Sequence, residues 1–234
     1  MKKIKKAQIY FLVISLALVI VITVVVQKPL QTSNTDQSQQ FVVVVDAGHG
    51  GVDPGGIGIK TKVKEADLNL TISKNLQQLL EAAGVRVVMT RTDENGLYGV
   101  YTKNYKKEDM AKRKAIIAQA NPDVVVSVHM NRFTNKSLRG AQAFYNQNNS
   151  NGAQLAACVQ EEFKSKLAES NREISYGDYF MVKCTSAAAI IAECGYLSNA
   201  EDEKLLCTEE YQHKVAYSIF CGIVRYLSLP SQMA

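Results

Sequence analysis

The sequence predicts an α/β fold: a single three-layer αβα domain around a mixed, mostly parallel sheet, preceded by an N-terminal transmembrane helix. Three observations lead there. Short, apolar, mostly β-branched runs recur along the chain, stretches at helical spacing separate them, and polar residues with chemistry to offer stand at the carboxyl ends of the runs. Strands alternating with helices argue for helices on both faces of one sheet, and such sheets collect their sites beyond the strand carboxyl ends.

The elements follow in order. Phe41 to Val45 (FVVVV) has no polar position and reads as a strand buried on both faces. A glycine-rich loop runs from Gly48 to Gly58. Leu68, Ile72, Leu76, Leu79, Leu80 and Ala83 recur at helical spacing, and Gly84 is a stop. Val85 to Met89 is a second strand, and residues 92–106 are a turn-rich, exposed insertion. A helix over Lys107–Ala120 ends at Asn121-Pro122. Val124–Val128 and Gly140–Tyr145 are strands, Gln154–Leu167 a helix, Tyr179–Val182 a strand, and Ala188–Ala192 the last buried strand. Helices over Ala200–Leu206 and Glu209–Leu227 close the chain, and there is no internal repeat.

At the N-terminus, Ile9 to Val26 form an uncharged apolar run of nearly bilayer-spanning length. The basic stub Met1–Lys6 precedes it, which keeps that end cytoplasmic and exports the remainder. The run ends Val26-Gln27-Lys28-Pro29 without a small-residue cleavage pattern, which favours an anchor over a removed signal. The expected organisation is a stub and anchor or signal over residues 1–26, a flexible linker over 27–40, and a catalytic domain over 41–230. The domain then works outside the cytoplasm, membrane-anchored, or secreted if the helix is cleaved.

The formal charge of +5 includes four lysines in the N-terminal hexapeptide, so the exported part is near neutral. With no basic helix and no tryptophan, nothing here reads as a nucleic-acid footprint. Lys103–Lys114 interleaves bases with acids and reads as a solvated helix face. The five cysteines form no C-x-x-C pair; Cys158 and Cys221 fit helical apolar patterns as small core residues, and no disulfide pairing is selected.

Four motifs carry the chemistry: Asp46-Ala47-Gly48-His49-Gly50-Gly51, Glu65-Ala66-Asp67, Ser127-Val128-His129-Met130-Asn131 and Ala192-Glu193-Cys194-Gly195-Tyr196. They use two of the chain's three histidines and offer two imidazoles and two carboxylates, the set of a catalytic zinc with its general base. Taken singly, each has a plainer reading. His49 suits a turn, Glu65 the acidic start of a helix, His129 a bonded core imidazole, and Glu193 a salt bridge. The glycine loop lacks both G-x-G-x-x-G and a following Gly-Lys-Ser/Thr, which weighs against phosphate binding. An imidazole or carboxylate at the end of an apolar strand needs a partner, and together these residues supply one another's. Asp67 reads as a helix cap, Asn131 as a residue that orients a ligand or touches substrate, and His213 as a surface helical residue.

With these motifs in order, the chain from about Val42 to Tyr226 resembles the zinc-dependent N-acetylmuramoyl-L-alanine amidases of the amidase-3 family. DAGHGG, the E-x-D-x-N-L of Glu65–Leu70, the S-V-H-x-N of Ser127–Asn131 and the E-x-G-Y-L-S-N of Glu193–Asn199 carry the resemblance. It implies zinc (Zn2+) on His49, Glu65 and His129, Glu193 as the catalytic glutamate, and peptidoglycan as substrate, cut between N-acetylmuramic acid and L-alanine. Gly140–Tyr145, Asn171-Arg172-Glu173 and the bare domain behind an apolar N-terminus look most like the spore-cortex, germination-specific branch. That branch implies muramic-δ-lactam formation, a protein activator in some lineages, and a place between forespore and mother cell. Ala66 stands where the family often has Lys, and Tyr196 where it often has Phe. Two other readings stay open: a wall-binding protein with a degenerate site, and a zinc carboxypeptidase, although neither His49 nor His129 has Glu three residues on.

Overall fold

The computed structural model describes residues 40–167 and 169–230. The apolar run expected to cross a membrane lies outside them, and no helix among the described residues is long and apolar enough to do so. The strands are β1 (Val42–Ala47), β2 (Arg86–Met89), β3 (Val124–Asn131), β4 (Gln142–Tyr145), β5 (Ser175–Tyr176) and β6 (Ala188–Tyr196). The helices are α1 (Glu65–Ala82), α2 (Tyr105–Ala120), α3 (Ser150–Lys166), α4 (Phe180–Lys183), α5 (Ala200–Leu206) and α6 (Glu209–Leu227). One six-stranded sheet has the order β2-β1-β3-β6-β4-β5, parallel at every pairing except β4 with β6.

The central strands β1, β3 and β6 are apolar on both faces over most of their length because each face is covered. Val43, Val45, Val124, Val126, Val128, Ile190 and Ala192 pack against Ile72, Leu76 and Leu80 of α1, Val159 and Phe163 of α3, and Ile219 and Ile223 of α6. Val44, Val125, Ala189 and Ile191 meet Ile117 and Ala120 of α2 and Met181 and Val182 of α4. Side chains alternate along a strand, so Asp46, Ser127, His129 and Glu193 continue the α2–α4 face toward the carboxyl ends. The α/β class and the mixed, mostly parallel sheet are as the sequence predicts.

Several local expectations are corrected. Residues 179–182 are not a strand: α4 is a single helical turn whose Met181 and Val182 are buried, while the edge place is taken by the two-residue β5. A run of four apolar residues carries no period that separates the two states. Helix α1 begins at Glu65 after Lys64, with no side-chain cap, and Asp67 lies exposed within its first turn. The basic stretch over Lys103–Lys114 is not wholly solvated, since Asp109 and Arg113 are buried. Cys158 is buried as expected, Cys221 only half-buried, and all five thiols are free. His213 is an exposed helical residue, 3.7 Å from Glu209.

Candidate metal centre

The loop after β1 is shaped by two buried arginines. Arg113 of α2 is fully buried and donates to Asp109 Oδ2 (2.5 Å), Asp46 Oδ1 (2.6 Å), the Ala47 carbonyl (2.8 Å) and the His49 carbonyl (2.7 Å). Arg91, just beyond β2, donates to the carbonyls of Ala47, Gly48, Ala66 and Asp93. Asp46 also accepts from Ser127 (2.5 Å) and Thr90 (2.6 Å). Burial by itself would raise the Asp46 carboxyl; Arg113, Ser127 and Thr90 outweigh it and hold the group below its usual range.

Removing Arg113 leaves two carboxylates buried without their cation. Arg113→Leu is expected to cost about 3–5 kcal/mol, lowering the melting temperature by roughly 10 °C in a calorimetric or fluorescence melt. A melting point unchanged within error would show that the network adds nothing to stability.

Held this way, His49 takes a left-handed backbone conformation (φ 61°). Gly48 admits His129: a Cβ there would lie 2.3 Å from the imidazole. Glu65 is the first residue of α1 and is 4% exposed. Its Oε2 accepts from the Gly56 amide (2.6 Å), and its Oε1 from the Met130 amide (3.1 Å). Oε1 also lies 2.9 Å from His129 Nδ1 and 3.2 Å from His49 Nε2. Asp53 Oδ2 is 3.0 Å from His49 Nδ1, and Lys106 is 3.4 Å from the same oxygen. Asn69, one turn along α1 from Glu65, bonds the Gly48 carbonyl and ties the two segments together. Ligand atoms of His49, Glu65 and His129 all lie within 4.8 Å of one another.

The electrostatics follow from this packing. Burial would lower His49, but the bonds from Asp53 and Glu65 raise it to about 9. The His49 bond brings Asp53 down to about 2. Burial works to raise Glu65, and bonds from His129 and His49 outweigh it, leaving that carboxyl well below its usual range.

Glu193 stands opposite His129 in the β3–β6 ladder. Burial raises it to about 7; His129 and His49 pull the other way, and the charge of Glu65 adds to the rise. Its Oε2 is buried with no hydrogen-bond partner. A cavity of about 250 Å³ opens beside His49 and His129, walled by Tyr98, Tyr105, Met110, Tyr179 and Met181.

The structure thus brings His49, Glu65 and His129 together and sets Glu193 on the strand next to His129. Asn131 does not bond to any of the four side chains; its carbonyl accepts from Leu197. Sequence reasoning missed Asp53, Asn69, Arg91 and Arg113. Arg91 left a signal, a cation at the end of an apolar strand, as did Asn69, a polar residue within the helix's apolar stripe. Arg113 in Lys112-Arg113-Lys114 left none.

Fold and cluster together define an α/β domain with a candidate metal centre at the carboxyl ends of its strands. The chain belongs to the N-acetylmuramoyl-L-alanine amidase family, Amidase_3, which matches residues 43–225. It is 33% identical over 192 residues to the germination-specific N-acetylmuramoyl-L-alanine amidase of Bacillus subtilis (strain 168), spanning 80% of each chain. Among solved structures it is similar to the CwlD amidase from Clostridioides difficile, determined in complex with the GerS lipoprotein. That match has a TM-score of 0.77 and 36% identity and covers 81% of this chain and 99% of that one. The catalytic domain of CwlV, an amidase from Bacillus (Paenibacillus) polymyxa var. colistinus, has a TM-score of 0.70 and 30% identity, covering 80% and 98%. The enzyme class is therefore that of a peptidoglycan amidase, as the motifs imply.

Proposed function

We propose that this amidase is zinc-dependent, with His49, Glu65 and His129 holding the ion and Glu193 moving the proton. The observation that carries the reading is the pairing of a His–Glu–His cluster within 4.8 Å with a neighbouring carboxylate whose buried oxygen has no partner. The donor set fits zinc, and Asp53 on His49 is the kind of carboxylate that orients a ligating imidazole. When bound, the ion would polarise the lactyl carbonyl and lower the pKa of water to about 7.

The chain's own groups do the rest. Asp53 holds His49 with Nε2 turned toward Glu65. Amides of Gly56 and Met130 fix the Glu65 carboxylate. Glu193, near 7, is matched to accept a proton from the attacking water and return it to the leaving L-alanine nitrogen. Mass spectrometry of digested peptidoglycan tests the reaction. Free stem peptide with intact glycan is expected; shortened peptide would indicate a carboxypeptidase, and no product a degenerate wall-binding site.

Metal uptake carries a pH signature. With His49 near 9, a cation must displace its proton below that value, so apparent affinity strengthens as pH rises toward 9. One displaced proton gives about tenfold per pH unit between 7 and 9. Chelator competition across that range reads the slope, and a flat profile would contradict it.

The spore-cortex role, formation of muramic-δ-lactam, is supported by the germination-specific relative. Loss of that lactam from spores of a deletion strain tests it. We further assign the anchor or signal to residues 1–26, the linker to 27–40 and the catalytic domain to 41–230, with action outside the cytoplasm. The relative solved in complex with a lipoprotein supports a protein partner for this chain, to which we assign the role of activator.

A further inference from the structure

Strand β6 carries a second polar side chain on the face of Glu193. Gly195 has φ 150°, and the ladder slips there: His129 pairs with Glu193, then Asn131 with Tyr196. In a regular strand residues 193 and 196 would point to opposite faces; the bulge returns Tyr196 to the face of Glu193. Tyr196 is 3% exposed. Its hydroxyl accepts a hydrogen bond from Arg172 Nη1 at 3.0 Å, and the guanidinium carbon lies 5.3 Å from the ring centre. Burial raises the Tyr196 phenol above its usual range, so it meets Arg172 as a neutral group and leaves the positive charge uncompensated.

Arg172 is half-buried and makes no ion pair among the described residues. Its segment is tied to the site a second time. Gln142, opposite Glu193 in the β4–β6 register, donates from Nε2 to the Glu173 carbonyl at 2.8 Å. A fixed cation with donors to spare therefore stands across Glu193 from His129. An arginine pinned to a phenol rather than to a carboxylate is prepared for an anion from outside.

We propose that Arg172 binds the free α-carboxylate of the second stem-peptide residue, the γ-linked D-glutamate, with Tyr196 as its positioning residue. The inference rests on the amidase reading above. The glycan backbone carries no formal charge, so the anion must come from the peptide. That carboxylate lies two residues beyond the scissile bond, about 7 Å of extended chain. Gln142 is one strand from Glu193, about 4.8 Å, and the Arg172 segment is one place farther out. The Tyr196 hydroxyl is the group that holds the arginine in place.

The test uses the full chain, purified in detergent and zinc-loaded, on two muropeptides that differ only at that group, free acid against carboxamide. Wild-type enzyme is expected to favour the acid by about tenfold or more in kcat/KM. Arg172→Gln is expected to raise KM for the acid roughly 10- to 100-fold, keep kcat within about twofold, and abolish the preference. Arg172→Lys should recover part of it. Tyr196→Phe, which keeps the ring, should give a smaller loss in the same direction. Equal cleavage of both substrates by wild type, or a folded Arg172→Gln enzyme with unchanged KM and preference, overturns the carboxylate site alone. Release of peptide from neither substrate overturns the amidase reading and the site with it.

Discussion

Glu193→Gln is expected to keep one zinc per chain and lose between about 100- and 10,000-fold in kcat, the span general acid–base groups supply. The substitution changes one atom of a partly buried side chain beside the cluster, where the carboxylate has a buried oxygen with no partner. Little else can respond: the ligands are held by Asp53, Gly56 and Met130, none of which touches Glu193. The fold should not suffer. A carboxyl raised from 4.5 to about 7 by burial is favoured in its protonated form, so its contribution to stability is lost as pH rises through that interval. The amide escapes that loss, and the variant should melt at or above the wild-type temperature at pH 8. Retained turnover on a defined muropeptide would remove Glu193 from the mechanism.

His129→Ala is expected to fail differently, losing metal and turnover together. His129 reaches the cluster from the middle strand β3 through the gap left by Gly48, and Glu65 Oε1 is 2.9 Å from its ring. Without it the site has one imidazole and one carboxylate. Losing an outer partner of a ligand already costs 10- to 100-fold in affinity, so losing the ligand should exceed about 100-fold. Elemental analysis after dialysis should find the wild type loaded and the variant nearly empty. A variant that keeps stoichiometric zinc would falsify the assignment of His129. The pair is diagnostic: one substitution leaves the ion and stops the reaction, the other removes both.

Much of this was legible in the residues, and the reasons differ from place to place. Strands buried on both faces declare themselves as unbroken runs, so Val42–Val45, Val124–Val128 and Ala188–Ala192 could be read directly. His49 and His129 were legible because they stand where apolar runs stop, whereas Glu65, at a helix start, was legible only through the order of the motifs. The support beneath the cluster was not. Arg113 sits in a run of bases like any solvated face, and only α2 packing against the sheet turns it inward. Asp53 belongs to His49 through the turn of a glycine-rich loop, which has no period to read. Residues 179–182 read as a strand because four apolar residues carry no period, and they form a single helical turn instead. Tyr196 returned to the face of Glu193 through a one-residue slip at Gly195, which no alternation rule foresees.

The arginine grip on the His49 loop has one further consequence. Its carbonyls are satisfied by guanidinium groups rather than by the ion, so the ligands owe their places to the polypeptide. Chelation should therefore empty the enzyme without denaturing it. Far-ultraviolet circular dichroism should be the same before and after stripping, activity should return on simple re-addition, and any thermal protection by the ion should follow mass action alone.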